Sequence, residues 1–207
     1  MKNTEQLTSS TFYHVYNRGV DGRSIFEKDS NYSYFLRKYD QYIGPIANTY
    51  AYCLLGNHFH LLICTKNEDE IIEALSCKSL TERSELNISK KISLQFSHFF
   101  NGYTQAFNRQ QGRKGKLFEL PFRRVAVDTE AYFSRLVFYI HANPQTHGLI
   151  NDFRKWPHSS YKSHLSDKPT KLKRKSVLNW FGGHEAYKQF HAESQNFSTD
   201  KKLLLED

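Results

Sequence analysis

Residues 50 to 63, Tyr50-Ala51-Tyr52-Cys53-Leu54-Leu55-Gly56-Asn57-His58-Phe59-His60-Leu61-Leu62-Ile63, place two histidines one residue apart inside an apolar run rich in β-forming side chains. Alternate residues of a strand point to the same face about 6 to 7 Å apart, so His58 and His60 share one face while Phe59, Leu61 and Ile63 take the other. Gly56-Asn57 marks a tight turn. The stretch therefore predicts a hairpin, with strands over 48 to 55 and 58 to 65 and the histidine pair opening the second. Two imidazoles side by side can hold one cation, although two histidines satisfied by neighbours at a sheet end would spell the same short motif.

Working outward, Phe12-Tyr13-His14-Val15-Tyr16-Asn17-Arg18 is aromatic and β-branched and runs into the glycines at 19 and 22, which predicts a first strand and a turn. Tyr32, Phe35, Leu36, Tyr39 and Ile43 recur at helical spacing after Asp29-Ser30, and Gly44-Pro45 ends that helix. Residues 66 to 90 are polar and read as a loop or insertion. Ile92, Phe96, Phe99, Phe100, Tyr103 and Phe107 then make one aromatic helical face, of the kind that fills a core. The basic loop Arg109-Gln110-Gln111-Gly112-Arg113-Lys114-Gly115-Lys116 leads to a strand from Leu117 ending near Val127. Asp128 is expected to cap a further helix with Phe133, Leu136, Val137 and Ile140 inward. Beside that stripe Tyr139 and Asn143 stand one turn apart and can aim a hydroxyl and an amide oxygen at one place. Pro144 disfavours helical geometry at the residue before it, which puts Asn143 at the helix end. Residues 148 to 165 read as irregular, 168 to 175 as a basic linker, and 180 to 192 as a small closing element.

The chain has 207 residues, 29 Lys and Arg against 21 Asp and Glu, a formal charge of +8 and 15% aromatics. That length suits one well-buried domain with an appendage, and the charge suits a polyanionic partner such as nucleic acid. Cys53, Cys64 and Cys77 are too few and odd in number for a disulfide framework, so a reducing cytoplasm is expected. No apolar run approaches the roughly 20 residues of a membrane span, and the polar first residues lack a signal-peptide core, so no membrane association is expected.

For the histidines, structural zinc needs four ligands. Cys64 would lie about 13 Å along the strand from His60, and Cys53 on the neighbouring strand would still leave a fourth ligand missing. A histidine-triad hydrolase needs a third alternating histidine where Leu62 stands. What remains for chemistry is a divalent ion held by two imidazoles and an oxygen donor, with positions open to a phosphate.

Five blocks extend the reading: Val15 to Gly19, Tyr52 to Leu62, Gly115 to Glu119, Tyr139 to Leu149, and Trp156-Pro157-His158-Ser159-Ser160-Tyr161. In this order they resemble the single-tyrosine HUH transposases, and within them the REP-associated tyrosine transposases, over most of residues 12 to 165. The resemblance implies an α+β, ferredoxin-like antiparallel sheet with packed helices over 8 to 165, and a basic linker and small element over 166 to 207. It implies that His58 and His60, with Asn143 as third ligand, bind Mg²⁺ or Mn²⁺, and that Tyr139 is the nucleophile in a metal-dependent endonuclease and strand transferase. Its substrate would be single-stranded DNA, often beside a hairpin, worked on by a monomer in preference to a homodimer. Arg18, Arg109, Arg113, Lys114, Lys116, Arg123 and Arg124 are the candidates for the DNA backbone track. One departure stands out, because many relatives carry an arginine where this chain has Pro121, directly before Phe122. The rival reading is a catalytically silent DNA-binding protein on the same fold.

Overall fold

The computed structural model describes residues 5 to 75 and 87 to 194. Its sheet contains four strands: β1 (Phe12–Arg18), β2 (Ala47–Leu54), β3 (His58–Thr65) and β4 (Arg123–Ala126). They lie in the order β2-β3-β1-β4 with every neighbouring pair antiparallel. β1 is thus parallel to β2 with β3 inserted between them, the split βαβ arrangement of a ferredoxin-like α+β fold. The hairpin expected from the opening stretch is present, with β3 spanning the residues expected of it and β2 shifted by one.

Strand alternation sorts the side chains into two cores. Tyr13, Val15, Phe59, Leu61 and Ile63 face helices α1 (Asp29–Ile43) and α3 (Ile88–Gln110), whose Phe35, Tyr39, Phe96, Phe99, Phe100 and Tyr103 close a largely aromatic core. The aromatic stripe read in the sequence is therefore core, each ring contributing roughly 1.5 to 3 kcal/mol on burial. On the opposite face Ala51, Cys53 and Leu62 pack against α4 (Glu130–Thr146) through Phe133, Leu136, Val137 and Ile140. Two C-terminal helices, α6 (Arg174–Phe181) and α7 (His184–Glu193), add Val177, Leu178 and Tyr187 to this second core.

Several local expectations change. Residues 66 to 90 are not all loop: α2 (Glu68–Ala74) forms there, because Asn67 caps the Glu70 amide and the Glu70 side chain returns to the Asn67 amide. The rest of that segment, with Cys77, lies mostly outside the described residues. Thr129, not Asp128, caps α4 by accepting from the Tyr132 amide. Pro144 does not end the helix, which continues to Thr146. The lost hydrogen bond of a helical proline falls in the last turn, where the His147 amide still reaches the Asn143 carbonyl at 3.0 Å and Leu149 reaches that of Pro144 at 2.8 Å. Asn143 is consequently a true helical residue, one turn beyond Tyr139. The strand expected from Leu117 is shorter, since Phe118 only bridges Gly19 before the chain turns and enters β4. A short helix α5 (Tyr161–His164) interrupts the irregular segment.

Candidate active site

The turn before β3 is fixed from outside the hairpin. The Gly56 carbonyl accepts the Ile25 and Phe26 amides at 2.8 and 3.0 Å, and the Asn57 carbonyl accepts the Gly19 amide at 2.8 Å. Gly19 is needed for this approach, because a Cβ there would stand 2.0 Å from the Arg23 carbonyl oxygen. The histidine pair thus begins at a clamped point.

His58 and His60 share a face, as alternation requires, with ring centroids 5.2 Å apart. Across the sheet His60 pairs in register with Tyr16 of β1, which in turn pairs with Arg123 of β4. Helix α4 lies against β2 and β3 on this face and brings Tyr139 edge-on to the His60 ring at 5.5 Å. Asn143, buried at 1% exposure, sets its Oδ1 3.2 Å from His58 Nε2. The His147 ring, one further turn along, lies 4.9 Å from His58. All of these groups come from one chain.

Both imidazoles are uncharged near neutrality. Burial lowers His58 to about 4, opposed in part by the Asn143 contact and reinforced by His147 and Arg18. Burial, then the neighbouring His14, His58 and His147, holds His60 well below the usual histidine range. His58 Nδ1 lies 2.7 Å from Asn57 Oδ1. A neutral ring has one proton to donate, so donating it to Asn57 leaves Nε2 and Asn143 Oδ1 facing each other as two lone pairs. A cation held by both atoms would relieve that opposition, and the Asn143 amide nitrogen is buried without a hydrogen-bond partner. That donor set, two neutral imidazoles and an amide oxygen, is one that could hold a divalent cation. Among the described residues no group of three or more His, Cys, Asp or Glu side chains stands in a metal-binding arrangement, so the third protein donor would be this amide. Cys53 is not available, being a fully buried thiol whose ionisation burial suppresses, and Cys64 lies at the far end of the strand opposite Phe12.

A cleft of about 300 Å³ opens beside the pair, lined by Tyr16, Arg18, His58, His60, Glu119, Arg123, His147 and Leu149 among others. The cationic residues singled out in the sequence divide around it. Arg18 and Arg123 are at its wall, both turned toward Glu119, at 2.6 and 3.9 Å. Arg113 bonds the Lys116 carbonyl, which shapes the basic loop just before Leu117. Arg109, Lys114 and Lys116 are exposed in and beside that loop. Arg124 points to the opposite face, lying 4.5 Å over the Phe122 ring and bonding the Glu5 carbonyl, so its contacts are structural. His14, Tyr16, Glu119 and His147 join this region without having been singled out in the sequence. The first two were legible as same-parity neighbours on β1, and His147 as the next step of the four-residue ladder from Tyr139 and Asn143.

No family model matches the sequence, and no curated protein does. Among solved structures the chain is similar to a REP-associated tyrosine transposase bound to a REP hairpin, with a TM-score of 0.54 and 16% identity over 82% of this chain and 89% of that one. The fold of this chain, sheet and packed helices together, is similar to that of a REP-associated tyrosine transposase.

Proposed function

We propose that this protein is a single-stranded DNA endonuclease and strand transferase that acts through a 5′-phosphotyrosine link, at DNA carrying a hairpin. The observation that carries the reading is the meeting of Tyr139 with His60 and of Asn143 with His58, across 79 residues or more of sequence (139 minus 60).

His58, His60 and Asn143 would hold Mg²⁺ or Mn²⁺, which when bound polarises the scissile phosphate and stabilises charge on its non-bridging oxygens. Arg18 and Arg123 lie on the cleft wall where the flanking backbone enters, and Glu119 keeps both guanidinium groups aimed. Tyr139 attacks phosphorus in line: its Oη–P bond forms, the P–O3′ bond breaks, the phenolic proton passes to water in the open cleft and the departing 3′ oxygen takes one up. The bond energy is retained in the phosphotyrosine, so a second 3′-hydroxyl can reverse the step and join a new strand. Tyr139 itself is partly buried, edge-on to the His60 and His14 rings. A silent DNA-binding protein would have no need for this full set of donors and nucleophile.

The test is a denaturing gel of full-length protein with single-stranded hairpin DNA and Mg²⁺ or Mn²⁺. Wild type is expected to give a covalent adduct that EDTA prevents, and Tyr139→Phe to bind DNA without forming it. An adduct that survives Tyr139→Phe overturns the assignment.

A further inference from the structure

His14 lies behind the pair on β1. Its Nε2 stands 3.0 Å from His60 Nδ1, and the two rings are 3% and 0% exposed. Their planes differ by only 27° with centroids 5.2 Å apart, which suits an edge-to-edge N–H···N bond. Tyr16 stacks on His14 at 4.7 Å and Tyr139 stands edge-on to it at 6.0 Å, so the ring is held on two sides.

Two neutral imidazoles joined by one such bond have two arrangements. Either His60 donates from Nδ1 and keeps a lone pair on Nε2, or His14 donates from Nε2 and the His60 proton moves to Nε2. Only the first leaves His60 able to ligate through Nε2. We propose that His14 is a positioning residue that accepts the Nδ1 proton of His60 and so fixes the tautomer and ring angle with which His60 meets the cation. This rests on the reading of His58, His60 and Asn143 as ligands. Metal-bound histidines usually donate their second nitrogen to a fixed acceptor, and loss of that acceptor lowers metal affinity by about 10- to 100-fold.

The choice of acceptor has a chemical consequence. A carboxylate in that place would add a buried negative charge beside the position a phosphodiester must reach. An imidazole carries no negative charge in either protonation state, so it orients His60 without repelling the substrate.

The experiment measures Mn²⁺ binding to the full chain without DNA, from the electron paramagnetic resonance signal of the free ion. His14→Phe, which keeps a ring but no acceptor, is expected to weaken binding by about 10- to 100-fold, and His14→Gln, whose amide oxygen can accept, to recover most of it. In Mg²⁺-saturated wild type labelled with ¹⁵N-histidine, long-range correlation spectra are expected to show both His14 and His60 protonated at Nδ1. The spectra decide the matter should His14→Phe fail to fold. Unchanged Mn²⁺ affinity in folded His14→Phe, or a His14 proton on Nε2, overturns the role of His14 alone. Absence of Mn²⁺ binding in wild type overturns the ligand reading with it.

Discussion

His58 sits between two amide oxygens with one proton to give, and that shortage is the sharpest chemical statement the site makes at the scale of the residue. Asn143→Leu keeps the volume and removes the oxygen donor. It is expected to lower Mn²⁺ affinity at least tenfold, whereas Asn143→Asp, with a charged oxygen, is expected to raise it; equal affinity in all three proteins would remove Asn143 from the ligand set. Asn143 and Tyr139 were both legible in the sequence, because four-residue spacing on a helix is a reliable guide to a shared face. The effect of Pro144 was not. A preceding-residue preference is a local bias, and it yields here to the packing of α4 across the second core.

At the scale of the element, α4 carries a different chemistry on each side. Tyr139 and Asn143 meet His60 and His58, and His147 lines the cleft, while His141 between them faces inward and bonds Ser160 Oγ at 2.8 Å and His191 Nε2 at 3.0 Å. Ser160 in turn accepts the Tyr52 amide at 2.9 Å, so this one side chain fastens the tyrosine helix to β2. The Trp156 to Tyr161 block therefore serves as a fastening, with the Trp156 indole also bonded to the Leu54 carbonyl. Burial lowers His164 and His191 to about 4 and His141 well below the usual range. In the unfolded chain these groups take up protons near pH 6.5, which the folded cluster refuses. Stability is therefore complete above about pH 6.5 and falls as pH drops toward 4, by roughly 1.4 kcal/mol per unit of depression for each group. Urea midpoints at pH 7.5 and pH 5 are expected to show this loss, and His191→Gln to reduce it. The site histidines shift in the same sense, so part of the slope is expected to remain in the variant.

For the whole molecule, two cores on opposite sides of one sheet divide the work. The aromatic core with α1 and α3 holds β1, β2 and β3 rigid, and the second core sets α4 on the face that carries the histidines. Helices α6 and α7 contribute to this second core. The Lys173 amide bonds the Thr49 carbonyl on the β2 edge at 2.9 Å, and Val177, Leu178 and Tyr187 are buried against α4 and its neighbours. Tyr139 meets His60 within the chain, so under the proposed function each copy would carry its own nucleophile and ligands. Mixing Tyr139→Phe protein with a His58→Ala, His60→Ala variant is accordingly expected to give no adduct, and adduct formation by the mixture would demonstrate exchange of the tyrosine helix between subunits. Among the described residues no helix is long and apolar enough to cross a membrane.

Local periodicity determined the elements: the alternation of 58 to 63 placed the histidines on one strand face, the aromatic spacing from Ile92 to Phe107 made a core helix, and Tyr139 and Asn143 fell on one turn. These are short-range facts, set by the repeat of a strand or a helix and readable from neighbours in the chain. What only the tertiary structure decided is which faces meet. The pairing of β1 with β3 brought His14 and Tyr16 behind the histidine pair, and the passage of α4 over β2 and β3 brought Tyr139 to His60. The same packing turned His141 into a buried fastening and sent Arg124 to the other side of the sheet from Arg123. Partners separated by 46 to 85 residues, as His14 is from His60 and His58 from Asn143, are chosen by burial and register, and no local pattern encodes that choice.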